Sequence, residues 1–127
     1  MNNLKVLIYV ESRYKVDRKR IKASIANVLA QQGISAPVEV SIAIIGDRKM
    51  RRLNIKYRDL DKVSNVLSFP LNEGERTPFP LGITRLGDVV ISYPEIIREA
   101  AKEDVLVDDK IDQLIRHGLL HLLGIHH

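Results

Sequence analysis

His117-Gly118-Leu119-Leu120-His121-Leu122-Leu123-Gly124-Ile125-His126-His127 closes the sequence and contains all four of its histidines. His117 and His121 are four apart, so a helix carries both imidazoles on one side, about one turn from each other. Gly124 interrupts the apolar run and ends that helix in a left-handed turn. The returning chain then offers a third imidazole from His127. Helix, glycine turn and returning histidine describe a tripod around one divalent ion with a coordination position left open, the pattern of a catalytic zinc site. The neighbours Leu114, Ile115, Leu119, Leu120, Leu122 and Leu123 are apolar, so the pair lies beside a core stripe, where unpartnered polar groups are costly.

Upstream of this segment the chain alternates in type. Leu4 to Val10 is β-branched and aromatic and reads as a strand. Asp17 caps a helix bearing Ile21, Ile25, Val28 and Leu29, stopped at Gly33. Val38 to Ile45 is a second strand, apolar enough to be covered on both faces. Gly46-Asp47 opens a second helix with Met50, Leu53 and Tyr57 as its apolar stripe and a basic opposite side. Asn65 to Pro70 is a short strand placed at a sheet edge by its proline, antiparallel to a neighbour. Leu71 to Thr84, with two prolines and two glycines, is the longest irregular stretch. Leu86 to Ile91 is a fourth, central strand. Ser92-Tyr93-Pro94-Glu95 matches a capping box and opens a helix to about Glu103 bearing Ile96, Ile97 and Ala100. The last helix runs from Leu106 to Leu123, with Val107, Ile111, Leu114, Gly118 and Leu122 on one stripe. The order β-α-β-α-β-β-α-α predicts an α+β domain: residues 1–127 form one unit, with a small mixed sheet of about four strands and four to five helices. The crossover rule makes the first two strands parallel if they are neighbours.

The 127 residues suit a single core. The absence of cysteine excludes disulfides and thiolate ligands and leaves imidazole and carboxylate for any metal. No run of eighteen apolar residues occurs and the first residues lack a signal-peptide core, so a cytoplasmic protein without membrane contact is expected. The net charge of +4 is unevenly spread. Two windows, Arg13 to Lys22 and Arg48 to Arg58, hold twelve of the twenty basic residues, and acids gather in the C-terminal half. That split suits a phosphate backbone. Arg48, Arg51, Arg52 and Lys56 are the candidate RNA contacts.

Three imidazoles on zinc favour hydrolysis. In His-Glu-x-x-His proteases a glutamate follows the first histidine as general base; here that position is Gly118. An electropositive cleft instead suits a phosphodiester, with an arginine neutralising developing charge. Arg58, at the end of the basic helix, is the candidate for that role, with an ion pair to Asp59 or Asp61 as its structural alternative.

The terminal segment closely resembles the pattern His-Gly-x-Leu-His-Leu-x-Gly-Tyr-Asp-His of the YbeY family of bacterial rRNA maturation endoribonucleases. Leu53-Asn54 through Tyr57-Arg58, Asp61 and Asn65-Val66-Leu67-Ser68-Phe69-Pro70 resemble a second stretch of that family. Leu86-Gly87-Asp88-Val89-Val90-Ile91 resembles a third, in the same order. The resemblance implies a single-strand-specific, metal-dependent endoribonuclease of 16S rRNA 3′-end maturation and ribosome quality control, with no DNA substrate. It implies one Zn2+ held by His117, His121 and His127, a functional role for Arg58, the 16S precursor and small ribosomal subunit as partners, and a fold related to zinc proteases. Position 126 is histidine where the family pattern has aspartate, and the sequence stops at the third ligand position. A zinc metallopeptidase, with Val66 to Phe69 as a substrate-binding edge, and a non-catalytic RNA-binding module with a structural metal are the competing readings.

Overall fold

The computed structural model describes residues 4–11, 13–71 and 83–125. Its elements follow the expected order: β1 (Leu4–Val10), α1 (Arg18–Gln31), β2 (Val38–Ile45), α2 (Asp47–Arg58), β3 (Val66–Pro70), β4 (Thr84–Ser92), α3 (Tyr93–Glu103) and α4 (Val107–Leu122). The sheet order is β1-β2-β4-β3. β1 and β4 both run parallel to β2. β3 is antiparallel to β4 at the edge, where Pro70 removes a donor that a central strand would need.

The two faces of the sheet are unequally covered. Val38, Val40, Ile42 and Ile44 of β2 and Val89 and Ile91 of β4 point to one face. There they meet Ile21, Ile25, Val28 and Leu29 of α1, Ile96 of α3, and Ile111, Leu114, Ile115, Leu119 and Leu122 of α4. The other face carries a smaller cluster in which Ile45, Leu67 and Val90 pack against Met50 of α2. Because α2 is short, it covers only part of that face, and Leu7 and Tyr9 of β1 stay exposed. Among the described residues, no helix is long and apolar enough to cross a membrane.

Capping chemistry sets the helix starts. The Asp17 side chain accepts from the Arg20 amide, and Ser92 Oγ accepts from the Glu95 amide, each satisfying an orphan first-turn donor. Two apolar expectations are corrected. In α2, Met50 and Asn54 are fully buried while Tyr57 is 57% exposed; the small sheet face ends before the helix does. In α3, Ile96 and Ala100 are buried but Ile97 is exposed, since one helix face alone meets the sheet and α4.

The charge separation expected from the sequence is partly undone by packing. Arg20 in the first basic window binds Asp109 and, at 2.8 Å, Asp112, both on α4, while Ser24 Oγ donates to the second Asp112 oxygen at 2.8 Å. These contacts tie α1 to α4 across their amphipathic flanks. Arg18 turns back to the Ile8 carbonyl at 3.0 Å, blocking an acceptor on the edge strand β1.

Candidate active site

α4 brings His117 and His121 together. Their ring centroids are 4.5 Å apart, tilted by 46°. His117 is exposed and His121 half-buried, so the pair lies on the flank of the buried stripe, as the four-residue spacing dictates. Among the described residues no group of three His, Asp or Glu side chains gathers as a metal site. His127, the third ligand expected from sequence, and its neighbour His126 fall outside the described residues, as do residues 72–82 of the long loop.

Gly118 sits under the histidine pair for a packing reason. A Cβ there would lie 2.7 Å from Val89 Cγ1 and 3.1 Å from Ser68 Oγ, closer than van der Waals contact allows. Ser68 Oγ donates to the Gly118 carbonyl at 3.1 Å. The residue after His117 therefore points into the sheet, and a glutamate there would have to displace β4. This gives the missing protease base a structural cause, and it assigns Ser68 to holding the edge strand against α4.

Asp88 lies on the other side of the sheet from the histidines. In β4 the register shifts between Glu39 and Val40 of β2, whose partners are Arg85 and Gly87. Leu86 is thus an extra residue, a bulge that re-aims every side chain after it. Gly87 has φ +136°, and the carbonyl of Phe69 approaches where its Cβ would stand. Glycine is the residue that tolerates both. As a result Val89 faces α4, and Asp88 faces the α2 side beside Phe69.

Arg58 ends α2, exposed to solvent. The ion pair considered for it does not form: Asp61 is bound in a fork by Arg51, whose hydrogen bonds hold the Asp61 carboxyl below its ordinary value. Arg48, Arg52 and Lys56 are also exposed on α2. Of the four expected RNA contacts, Arg51 alone is paired with an acid among the described residues. The chain after Arg58 is pinned by a residue that the sequence reading did not single out. Asn54, fully buried, donates from Nδ2 to the Lys62 carbonyl at 2.9 Å and to Ser64 Oγ at 3.0 Å. Its backbone carbonyl accepts from Asp59, in the left-handed C-cap conformation, and from Leu60. Its surroundings in the sequence, the apolar Leu53 before it and a polar turn after the helix, did not mark it as buried.

The family model for Endoribonuclease YbeY matches residues 8–127. The chain belongs to the endoribonuclease YbeY family. Curated members include one from Desulforamulus reducens, 38% identical over 128 residues, which covers all of this chain and 82% of that protein. One from Anaeromyxobacter sp. is 43% identical over 109 residues, 86% of this chain and 54% of that protein. One from Acinetobacter baumannii is 34% identical over 113 residues, 89% of this chain and 72% of that protein. The fold is similar to the solution structure of TM1509 from Thermotoga maritima, with TM-score 0.62 and 20% identity over 96% of this chain and 74% of that one. Membership makes this chain an enzyme of the endoribonuclease class. Within the family frame, Gly118 and Ser68 build the wall behind the histidine pair, and Asn54 holds the segment that joins Arg58 to the edge strand.

Proposed function

We propose that this chain is a zinc-dependent, single-strand-specific endoribonuclease that trims the 3′ end of the 16S rRNA precursor on the small ribosomal subunit, in the cytoplasm. The observation that carries the reading is the imidazole pair, 4.5 Å between ring centroids on one flank of α4, in a member of this family. Two imidazoles at this spacing fit a divalent ion as donors. His117 and His121 would hold it, with His127 as the third ligand. When bound, zinc supplies a Lewis acid for a phosphoryl oxygen and lowers the pKa of a water molecule.

This chain's own residues supply the rest. Arg58, with no acid paired to it among the described residues, is available to a phosphate oxygen through two parallel hydrogen bonds. Gly118 and Ser68 keep the helix close to β3, which fixes the histidines against the edge strand. The exposed Arg48, Arg52 and Lys56 hold flanking phosphates without reading sequence.

Purified protein is expected to contain one zinc per chain by elemental analysis and to cut single-stranded 16S precursor RNA. His121→Ala should lose both metal and cleavage. Arg58→Ala should keep the metal and lower cleavage by about a hundredfold or more, the scale of removing one charge-stabilising donor. Metal-loaded protein that leaves such RNA intact, or Arg58→Ala with unchanged turnover, would overturn the proposal.

A further inference from the structure

On the face of the sheet away from the histidines, a groove of about 310 Å3 opens where α2 fails to cover the strands. Ser41, Asp88, Val90 and Phe69 form its floor, with Leu53 and Tyr57 of α2 as its wall. This size is at the lower end of ordinary small-ligand sites. Asp88 is half-buried there, and no donor among the described residues reaches its carboxylate. A carboxylate set in apolar surroundings without a donor is an unused acceptor, which favours a ligand that brings N–H groups. Tyr57, more than half exposed, meets Phe69 in a T-shaped contact with centroids 5.3 Å apart. Lys56 Nζ lies over the Tyr57 ring, 5.1 Å from the centroid, and has to swing off it before a planar ligand can stack there.

The charge pattern selects the occupant. Asp88 is the acid among the groove-lining residues. Arg85, beyond the groove, is neutralised by Glu39 at 3.2 Å, so the cations next to the groove are Lys56, adjacent to Tyr57, and Arg52, one residue before the groove-lining Leu53. These cations repel a cationic peptide side chain heading for Asp88. They suit a ligand whose donor edge enters while its phosphate stays outside. We infer that the groove is a base-binding subsite for an unpaired guanine of the substrate RNA, stacked on Tyr57, with Asp88 accepting from the guanine N1–H and N2 amine and Lys56 meeting the phosphate. Guanine is the base that presents two adjacent donors to one carboxylate; uracil offers one imino donor between two acceptors. The inference rests on the reading that RNA is the substrate. It adds that the strand bound at the histidines continues around the edge strand, since Ser68 touches α4 and the next residue, Phe69, lines the groove.

The test is a 1H–15N NMR titration of the full chain with GMP, IMP, AMP, CMP and UMP, run beside the cleavage assay. GMP should shift the Ser41, Phe69 and Val90 resonances and bind more tightly than UMP by roughly 5- to 150-fold, the range for a bidentate base contact. IMP, lacking the N2 amine, should fall between them. Asp88→Asn should remove the preference for GMP, and Tyr57→Ala should weaken all five nucleotides by roughly fivefold or more. Tyr57 is largely outside the core, so its variant keeps the test independent of folding. Equal binding of all nucleotides, shifts confined to α2 lysine and arginine residues, or a GMP preference that survives Asp88→Asn would each overturn the inference. Groove shifts produced by an arginine-rich peptide and not by nucleotides would also overturn it and assign the groove to a protein. Cleavage of RNA with a silent groove defeats this subsite alone, whereas absence of cleavage by zinc-loaded protein defeats the proposed function.

Discussion

Gly118→Ala isolates how tightly the histidine helix is packed on the sheet. In an open helix interior, alanine for glycine stabilises by about 0.8–1.0 kcal/mol through propensity. Here the new methyl would lie 2.7 and 3.2 Å from the two Cγ atoms of Val89 and 3.1 Å from Ser68 Oγ. Val89 is fully buried in a central strand and β-branched, so it has little rotamer freedom with which to yield. Overpacking of this kind costs about 1–3 kcal/mol. The two effects oppose, and the net expectation is destabilisation of about 1 kcal/mol. For a domain of this size that is a fall in Tm of about 3–5 °C. Thermal and urea unfolding followed by circular dichroism would measure it. The decisive comparison is the same substitution in a Val89→Ala background, where both Val89 Cγ atoms are gone and Ser68 Oγ, at 3.1 Å, is the one close atom left among the three. There Gly118→Ala should stabilise by about 1 kcal/mol, giving a coupling of about 2 kcal/mol in the double-mutant cycle. A rise in Tm in the wild-type background, or an equal loss in both backgrounds, would refute the claim that close packing is what excludes a side chain at position 118.

The remaining predictions concern the supports of the site and the helix pair beneath it. Asn54→Ala deletes two buried hydrogen bonds to the turn after Arg58 and should cost about 1–3 kcal/mol in urea unfolding. Asn54→Asp, which cannot donate to the Lys62 carbonyl at neutral pH, should be at least as damaging; an Asp variant as stable as wild type would sink this account. Lys110 is buried on α4, and its hydrogen bond to Glu103, with help from Glu99, raises its pKa. A raised lysine stabilises the fold fully below its unfolded value of roughly 10.4 and loses that contribution as pH rises through the folded value. The wild type should therefore lose stability above about pH 10 more steeply than Lys110→Met, measured by urea midpoints from pH 8 to 11.5, and parallel curves would rule the lysine out as the cause.

Much of the site was legible because it is local. The four-residue spacing of His117 and His121 determines their shared flank in any helix, and the caps Asp17 and Ser92 need only the backbone that follows them. Asn54 was not legible. A polar residue in a basic helix gives no sign of burial until the turn at residues 59–64 folds back over it. Tyr57 was misread for the converse reason: its place on the apolar stripe says nothing about whether the sheet extends far enough to cover it.

By itself the sequence determined the element order, the parallel pairing of β1 with β2 if they are neighbours, the edge position of β3 and the imidazole pair. All of these follow from side-chain period, proline chemistry and the handedness of crossovers, which act within a few residues or one connection. Tertiary structure alone decided which groups share a face. A one-residue bulge at Leu86 sends Asp88 to the side opposite the histidines, and α4 acids neutralise Arg20 from the far end of the chain. Close approach of Val89 explains Gly118, which sequence could read only as a missing glutamate. These outcomes depend on register and on contacts between residues distant in sequence, and neither is encoded in any window short enough to be read from the order of amino acids.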